Sequence, residues 1–589
     1  MTPEETLVQN ERVAHALARG LVGAGVRHVV VSPGSRSTPL VLAFDSLAEC
    51  TLHVVLDERA AAFMALGIGR KTGHPAVALA TSGSAGANQF PAVVEANLGR
   101  VPLLVMTADR PGELQDCGAS QTMSQRGLFG DHARACIAIP EPAVALSERW
   151  LQNIAARAVS TALGGPAGVV HLNVPFREPL YAPGQRPSVV SGGASSSVFR
   201  GRARLSPQDL TTLLDSLRAA ASGAIVCGPM APATSDGAEL TEAVTALADA
   251  LDWPVLADAT SALRFGHGDA SRIVTTADSL LRDEHLAETL RVAHVLRIGQ
   301  QPTAKSVTTW LRGHAGALTL VDADGAWLDG GGVANRLVVA EAAQLCRELA
   351  AASSGSEGRP QNALTAAWLA SDRAARAELD RHAAQGNWEG RIVYELVKSL
   401  PVGAHLHVAS SMPIRDLESF SGARTDRIAI TANRGVNGID GTVATALGVA
   451  LSGGGPTASL LGDLAFLHDL DGLEAAGALA RTAGLQLVLV VVNNGGGGIF
   501  GELPIAQHPT AFERLFLTPR PGDLGGVARA LELAHQSLTA EALPTALAGA
   551  FEKGGVHVLE VVVERGESSQ LRRSAHAEAS RVAREALVS

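Results

Sequence analysis

Short apolar, β-branched runs alternate with segments of helical spacing along most of the chain, and the alternation falls into three blocks. In the first block Arg27–Val31, Thr51–Leu56, Ala76–Ala80, Pro102–Thr107 and Gly168–Asn173 read as strands. Helix-period segments lie between them, which predicts parallel strands joined by crossover helices. The block closes near Arg186, where Pro187 and Ser191–Ser197 read as a linker. The second block offers strands at Ala224–Cys227, Pro254–Ala257, His294–Ile298 and Ala317–Val321, and a low-complexity break follows at Ala351–Pro360. The third repeats the alternation at His405–Ala409, Arg427–Thr431, Ala458–Leu461, Leu485–Val492 and Val556–Val563. The expected fold class is α/β, with three domains (1–186, 198–352 and 361–589), each a mostly parallel sheet flanked by helices. The outer blocks share a rhythm of strand, polar loop and glycine-opened helix, a hint of duplicated ancestry.

Composition narrows the class. A chain of 589 residues is too long for one core. With 46% hydrophobic and 18% charged residues and 62 glycines, it suits a compact α/β enzyme. The formal net charge of −10, with no basic stripe, excludes a nucleic-acid partner from the expectation. Cys50, Cys117, Cys136, Cys227 and Cys346 are odd in number and form no CxxC pair. They read as reduced thiols of a cytoplasmic protein rather than a disulfide framework or a zinc site. The apolar run Leu485–Val492 is too short to cross a membrane, and Thr2–Glu5 opens an amphipathic helix rather than a signal peptide. No integral membrane segment is expected.

The polar residues that interrupt this pattern gather where strands end. Val29–Val31 runs into Ser32-Pro33-Gly34-Ser35-Arg36-Ser37-Thr38-Pro39-Leu40, whose hydroxyls and guanidinium suit an anion. In the third block, one strand ends in Gly462-Asp463 and the next in Asn493-Asn494 followed by Gly495–Gly498. Two parallel strands one crossover apart release these residues at the same sheet edge. A carboxylate, an amide oxygen and a glycine carbonyl are hard ligands suited to Mg²⁺, and glycines let the backbone approach a diphosphate. Gly-Asp alone also reads as a helix cap. Asp57-Glu58-Arg59 stands between an apolar strand and the alanine-rich helix Ala60–Gly69. That position predicts a poorly hydrated Glu58 whose carboxyl is pushed up.

Glu58, the stretch Thr81-Ser82-Gly83-Ser84-Ala85-Gly86-Ala87-Asn88 and the Gly-Asp…Asn-Asn pair together resemble thiamine-diphosphate enzymes. Their domain order is pyrimidine-binding, central and diphosphate-binding. Several further segments are similar to one family among them, the 2-succinyl-5-enolpyruvyl-6-hydroxy-3-cyclohexene-1-carboxylate synthases of menaquinone biosynthesis. These segments are Ser32–Leu40, Thr107-Ala108-Asp109-Arg110-Pro111, Asp116–Gln121, Asn433-Arg434-Gly435 and Gly438-Ile439-Asp440-Gly441. The resemblance runs through essentially the whole chain and is loosest in the central block.

The resemblance implies thiamine diphosphate with Mg²⁺ (Mn²⁺ as the alternative), and a transferase that decarboxylates 2-oxoglutarate and adds the succinyl unit to isochorismate. It implies that Glu58 engages the aminopyrimidine ring, that Ile439 wedges between the cofactor rings, and that Asp463, Asn494 and Gly496 hold the metal. Gly438, Ser411 and Leu464 complete the cofactor contacts. Arg415, Arg434 and Ser411 fall to 2-oxoglutarate; Ser35, Arg36, Arg110, Ser120, Gln121 and Lys305 fall to isochorismate. Arg36, Arg415 and Arg434 join Glu58 as catalytic candidates. The family pairs Glu58 and Asp463 from different subunits, so a homodimer at minimum, and a homotetramer by expectation, would carry active sites at subunit interfaces.

Departures leave choices open. Gly495 stands where relatives carry a third asparagine, so Asn493 and Asn494 both remain candidates for the metal. Ser306 follows Lys305 where some relatives have a second cation. Gly228-Pro229 in the central block suggests a dinucleotide loop, but no GxGxxG follows and it reads as structural. Two other readings compete: another 2-oxoacid decarboxylase or acetohydroxyacid-synthase relative, and a non-catalytic phosphate-binding regulator. Four arginines argue against the first and Glu58 against the second.

Overall fold

The computed structural model describes residues 2–142, 146–182, 196–230, 237–266, 270–353, 362–482, 484–519 and 522–588. Pro187 and most of the predicted linker Ser191–Ser197 lie outside these residues, as does most of Ala351–Pro360.

The strands of the first sheet are β1 His28–Val31, β2 Thr51–Val54, β3 Ala76–Ala80, β4 Leu103–Asp109, β5 Ala135–Ala138 and β6 Val169–Pro175. The central sheet holds β7 Gly223–Cys227, β8 Val255–Ala257, β9 Ile273–Val274, β10 His294–Ile298, β11 Ala317–Val321 and β12 Arg336–Val338. The third holds β13 His405–Val408, β14 Ala429–Ala432, β15 Thr457–Gly462, β16 Gln486–Asn493, β17 Ala534–Leu538 and β18 Gly555–Val562. Every pairing among them is parallel. The fold is thus α/β, three parallel sheets flanked by helices.

The outer sheets run in the orders β2-β1-β3-β4-β6-β5 and β14-β13-β15-β16-β18-β17, which are the same order counted from each sheet's first strand. The shared rhythm read in the sequence is therefore a shared topology. The central sheet runs β12-β11-β10-β7-β8-β9, the order of doubly wound dinucleotide-binding sheets. At its switch point, a Cβ on Gly228 would stand 1.9 Å from the Gln300 carbonyl, so the glycine serves close loop packing.

Four strands escape the sequence pattern, β5, β9, β12 and β17, and each lies at a sheet edge. An interior strand such as β3 or β4 is buried along its whole length and needs a continuous apolar run. β17 (Ala-His-Gln-Ser-Leu) is half exposed and needs none.

One core is shared by the first and third sheets. Helix Glu58–Thr72 lies against helix Thr442–Leu451, with Phe63, Met64 and Leu66 packed among Val443, Ala446 and Leu447. Small residues set the approach: a Cβ on Gly67 would fall 2.1 Å from the Thr445 carbonyl, and one on Gly448 2.0 Å from that of Met64. Gly441, at a φ of 62°, meets the Phe63 ring in the same way. A second core joins the central and third sheets and includes Ala575, Ala579 and Ala583 of the C-terminal helix Arg565–Ala586.

Candidate functional site

Parallel pairing delivers the C-terminal ends of all strands in a sheet to one edge, where open α/β sheets bind ligands. At the first-sheet edge, β1 leads into Ser35 and Arg36, β2 into Glu58, β3 into Gly83–Asn88, β4 into Arg110 and β6 into Glu178. Arg36 is buried and donates to the Phe176 carbonyl at 3.0 Å and to Glu178 Oε1 at 2.7 Å. Arg110 Nη1 stands 3.7 Å from the same oxygen, so Glu178 bridges the two arginines. Each keeps a buried Nε–H with no partner among the described residues. Ser35, Ser120 and Gln121 are exposed, and Gln121 packs on the tight Gly83 turn, 2.8 Å from where a Cβ would be.

Glu58 accepts a hydrogen bond from Asn88 Nδ2 at 3.0 Å. The predicted burial of Glu58 does not hold within one chain. It is the first residue of its helix, at the sheet edge, and is only half-buried. Lys305 is exposed at the start of helix Lys305–Arg312 beside the central sheet, and Ser306 donates to Asp278 at 2.7 Å.

The third-sheet edge holds a cavity of about 410 Å³ that gathers Ser411, Arg415, Ile439, Asp463, Asn494 and Gly496. Leu464 also lines it; Gly438 does not, although its neighbours Asn437 and Ile439 do. Ser411, at a φ of 77°, opens helix Met412–Phe420, and Arg415 one turn on donates to the Ser411 carbonyl. Asp463 is buried and accepts backbone N–H groups from Leu464 and Gly496, each at 2.7 Å. Burial pushes its carboxyl up, and those N–H groups pull it back. Gly496 has a φ of 137°, and a Cβ there would fall 2.4 Å from the Leu517 carbonyl.

The two asparagines part company here. Asn493 uses both ends of its amide, donating to Glu560 at 2.6 Å and accepting from Gly495 N at 3.2 Å. Asn494 donates to Glu389 at 3.2 Å, while its buried Oδ1 has no partner among the described residues. An orphaned oxygen in a cavity wall beside a buried carboxylate fits a cation. Among the described residues, no three His, Cys, Asp or Glu side chains cluster to hold a metal. One carboxylate with amide and carbonyl oxygens suits Mg²⁺ that takes its remaining ligands from phosphate and water.

The loop carrying Ile439 is clamped by the first block. Glu95, 2% exposed, accepts from Gly435 N at 2.9 Å and Val436 N at 2.8 Å, and Arg70 pairs with it at 3.1 Å. Arg434 from this loop does not line the 410 Å³ cavity. It lines an adjacent one of about 200 Å³ together with Arg70 and Thr260. Sequence reasoning missed Glu389, Ile499 and Phe500, all on the larger cavity. Glu389 lies 105 residues from the asparagine it touches, so no spacing signalled it.

Residues 11–128 match the thiamine pyrophosphate enzyme N-terminal TPP binding domain, and residues 208–408 match the middle domain of thiamine pyrophosphate enzymes. A 2-succinyl-5-enolpyruvyl-6-hydroxy-3-cyclohexene-1-carboxylate synthase of Geobacillus kaustophilus is 42% identical over 95% of this chain and 96% of its own. A synthase of the same name from Chloroflexus aurantiacus is 40% identical over 94% and 93%. Another from Halobacterium salinarum is 38% identical over 96% and 97%. With its sheet edges, its glycine-lined cavity and this full-length likeness, the chain belongs to the 2-succinyl-5-enolpyruvyl-6-hydroxy-3-cyclohexene-1-carboxylate synthase family of thiamine-diphosphate enzymes.

Proposed function

We propose that the chain is a thiamine-diphosphate-dependent carboligase that decarboxylates 2-oxoglutarate and adds the succinyl unit to isochorismate, releasing carbon dioxide. The observation that carries the reading is the third-sheet cavity, where Asp463, the Asn494 Oδ1 without a partner among the described residues, and Gly496 at a backbone angle only glycine takes easily meet Ser411 and Arg415. When bound, thiamine diphosphate supplies the electron sink for carbon dioxide loss and carbon–carbon bond formation.

The chain's own residues bind, orient and move protons. Asp463, Asn494 and the Gly496 carbonyl would hold Mg²⁺, or Mn²⁺ in its place, against the diphosphate. The Gly496 carbonyl accepts from Gly498 N at 2.9 Å and keeps a second lone pair for this. Ile439 and Met412 give the cavity apolar walls that keep water from the reacting carbon. Arg415 at the cavity wall would fix the distal carboxylate of 2-oxoglutarate, with Arg434 from the neighbouring cavity as a second cation. Glu58 would hold and return a proton at its carboxylate against the pyrimidine ring. Arg36 and Arg110, each with an Nε–H that has no partner among the described residues, would receive an isochorismate carboxylate, with Ser35, Ser120, Gln121 and Lys305 around it.

All described residues lining the cavity fall between Glu389 and Phe500, so Glu58 of the same chain is not on it. A second copy then supplies Glu58, giving a homodimer at minimum and a homotetramer as two such pairs. The units 1–186, 198–352 and 361–589 serve as pyrimidine-binding, central and diphosphate-binding domains. The cysteines at all five positions are free, which suits a cytoplasmic enzyme, and among the described residues no helix is long and apolar enough to cross a membrane.

The test is consumption of 2-oxoglutarate and isochorismate together, with carbon dioxide release, by purified protein given thiamine diphosphate and Mg²⁺. Turnover of pyruvate in place of 2-oxoglutarate would instead support a decarboxylase or acetohydroxyacid-synthase-like enzyme. Mixing two inactive variants, Glu58→Gln and Asp463→Ala, should recover activity if sites form between copies. No recovery would overturn the shared site.

A further inference from the structure

An asparagine can present either end of its amide to a cation, and only the oxygen binds one. What turns Asn494 the right way is therefore a separate question from what makes it a ligand. Its Nδ2 faces Glu389 Oε1 at 3.2 Å, and Glu389 is 4% exposed. An ionised carboxylate only accepts hydrogen bonds, so Oδ1 cannot occupy that position and is left facing away, buried and without a partner among the described residues.

Glu389 faces the C-terminal helix through charge alone: Arg572 Nη2 stands 3.4 Å from Glu389 Oε2, an ion pair without a hydrogen bond. The same guanidinium forks onto Asp416, with Nε at 2.8 Å and Nη2 at 3.1 Å, and Asp416 adjoins Arg415 in the cavity wall. Two turns earlier on that helix, Arg565 donates to the backbone carbonyls of Asn494 at 3.0 Å and Gly495 at 3.3 Å. One arginine thus fixes the backbone of the loop, and the other, through Glu389, fixes the side chain it carries.

We propose that Glu389, braced by Arg572, is a positioning residue that sets the Asn494 amide with its oxygen toward the metal. The proposal rests on reading Asn494 as a metal ligand. Outer partners of this kind are worth 10–100-fold in metal affinity elsewhere.

Mn²⁺ is the probe, its free concentration read by electron paramagnetic resonance on the full chain with thiamine diphosphate. Glu389→Gln should weaken Mn²⁺ binding on the order of tenfold, because a glutamine accepts either end of the asparagine amide. Adding Asn494→Asp to that variant should recover most of the loss, since a carboxylate shows oxygen in either orientation and takes a hydrogen bond from the new amide. Arg572→Lys keeps the charge but loses the fork, and should show a smaller loss in the same direction; it carries the test if Glu389→Gln fails to fold. Wild-type Mn²⁺ affinity in Glu389→Gln, with affinity lost in Asn494→Ala, overturns the positioning role alone. Failure of Asn494→Asp to rescue does the same, leaving Glu389 a merely structural residue. Wild-type affinity in Asn494→Ala removes the metal reading beneath it.

Discussion

The first and third sheets share one strand order and present their strand ends the same way, yet the two edges have been finished differently. The first closes its charges internally: Glu178 bridges Arg36 and Arg110, and Glu58 is tied to Asn88. The third leaves a cavity of about 410 Å³ with an amide oxygen in its wall that has no partner among the described residues. Topology set where both edges lie, but a few loop residues decided that one would be a charged rim and the other a pocket. The proposed function would put the cofactor's metal end in the pocket and the acceptor's carboxylates at the rim.

The largest effect that could break this division is at Glu58. Glu58→Gln should cut turnover by about 10²–10⁴-fold, the range for a proton-transfer group, while thiamine diphosphate still binds by calorimetry. Loss of binding instead would move Glu58 to the pocket side. Next, Arg36→Ala should cost about 2–4 kcal/mol in kcat/KM for isochorismate, a buried charge partner being removed. Decarboxylation of 2-oxoglutarate without acceptor should stay near wild type, and a parallel fall there would erase the distinction between the edges.

A smaller effect probes how rigidly the two edges are joined. Gly67→Ala places a methyl 2.1 Å from the Thr445 carbonyl and should destabilise the protein by about 1–3 kcal/mol in denaturant midpoint. An unchanged midpoint would mean the helices separate at little cost. The effect that is smallest near neutral pH, and grows only in acid, treats both sheets alike. Burial drops His171 of β6 from 6.5 to about 4 and His407 of β13 from 6.5 to about 3. Both pKa values are depressed on folding, so their contribution is present above pH 6.5 and is lost as pH falls toward those values. Each should take roughly 1.4 kcal/mol per pH unit through that window, and His407→Asn should remove one such share from the acid slope.

How much of this was legible in the sequence follows from where each residue gets its neighbours. Interior strands such as β4 and β16 announce themselves by unbroken apolar runs, because both faces are covered. The edge strands β5, β12 and β17 are partly exposed and lack that requirement, and β9 is buried but only two residues long; none of the four left a pattern. The meeting of Asp463 and Asn494 in one cavity wall was legible because strand ends fix their places. The choice between Asn493 and Asn494 was not, since it turns on Glu560 and Glu389, partners from distant helices and strands. Glu58 was placed just before the helix that it in fact opens, and was credited with more burial than a first helical residue on a sheet edge has within one chain. Arg434 was read by its motif, and the motif could not say that Glu95 grips its neighbours and leaves the guanidinium beside a second, smaller cavity.

The C-terminal helix carries a consequence for how the molecule comes into being. The glycine loop is translated before Arg565 and Arg572, the two groups that grip its backbone and, through Glu389, its asparagine. A chain growing from its N-terminus can build the first sheet early, because β1 to β6 are all in place by Pro175. The pocket is different: it stays unfinished until Arg565 and Arg572 have been made and laid down. Ribosomal stalling, or proteolysis beyond β18, would therefore leave the first sheet sound, strip Ala575, Ala579 and Ala583 from the core between the central and third sheets, and slacken the glycine loop.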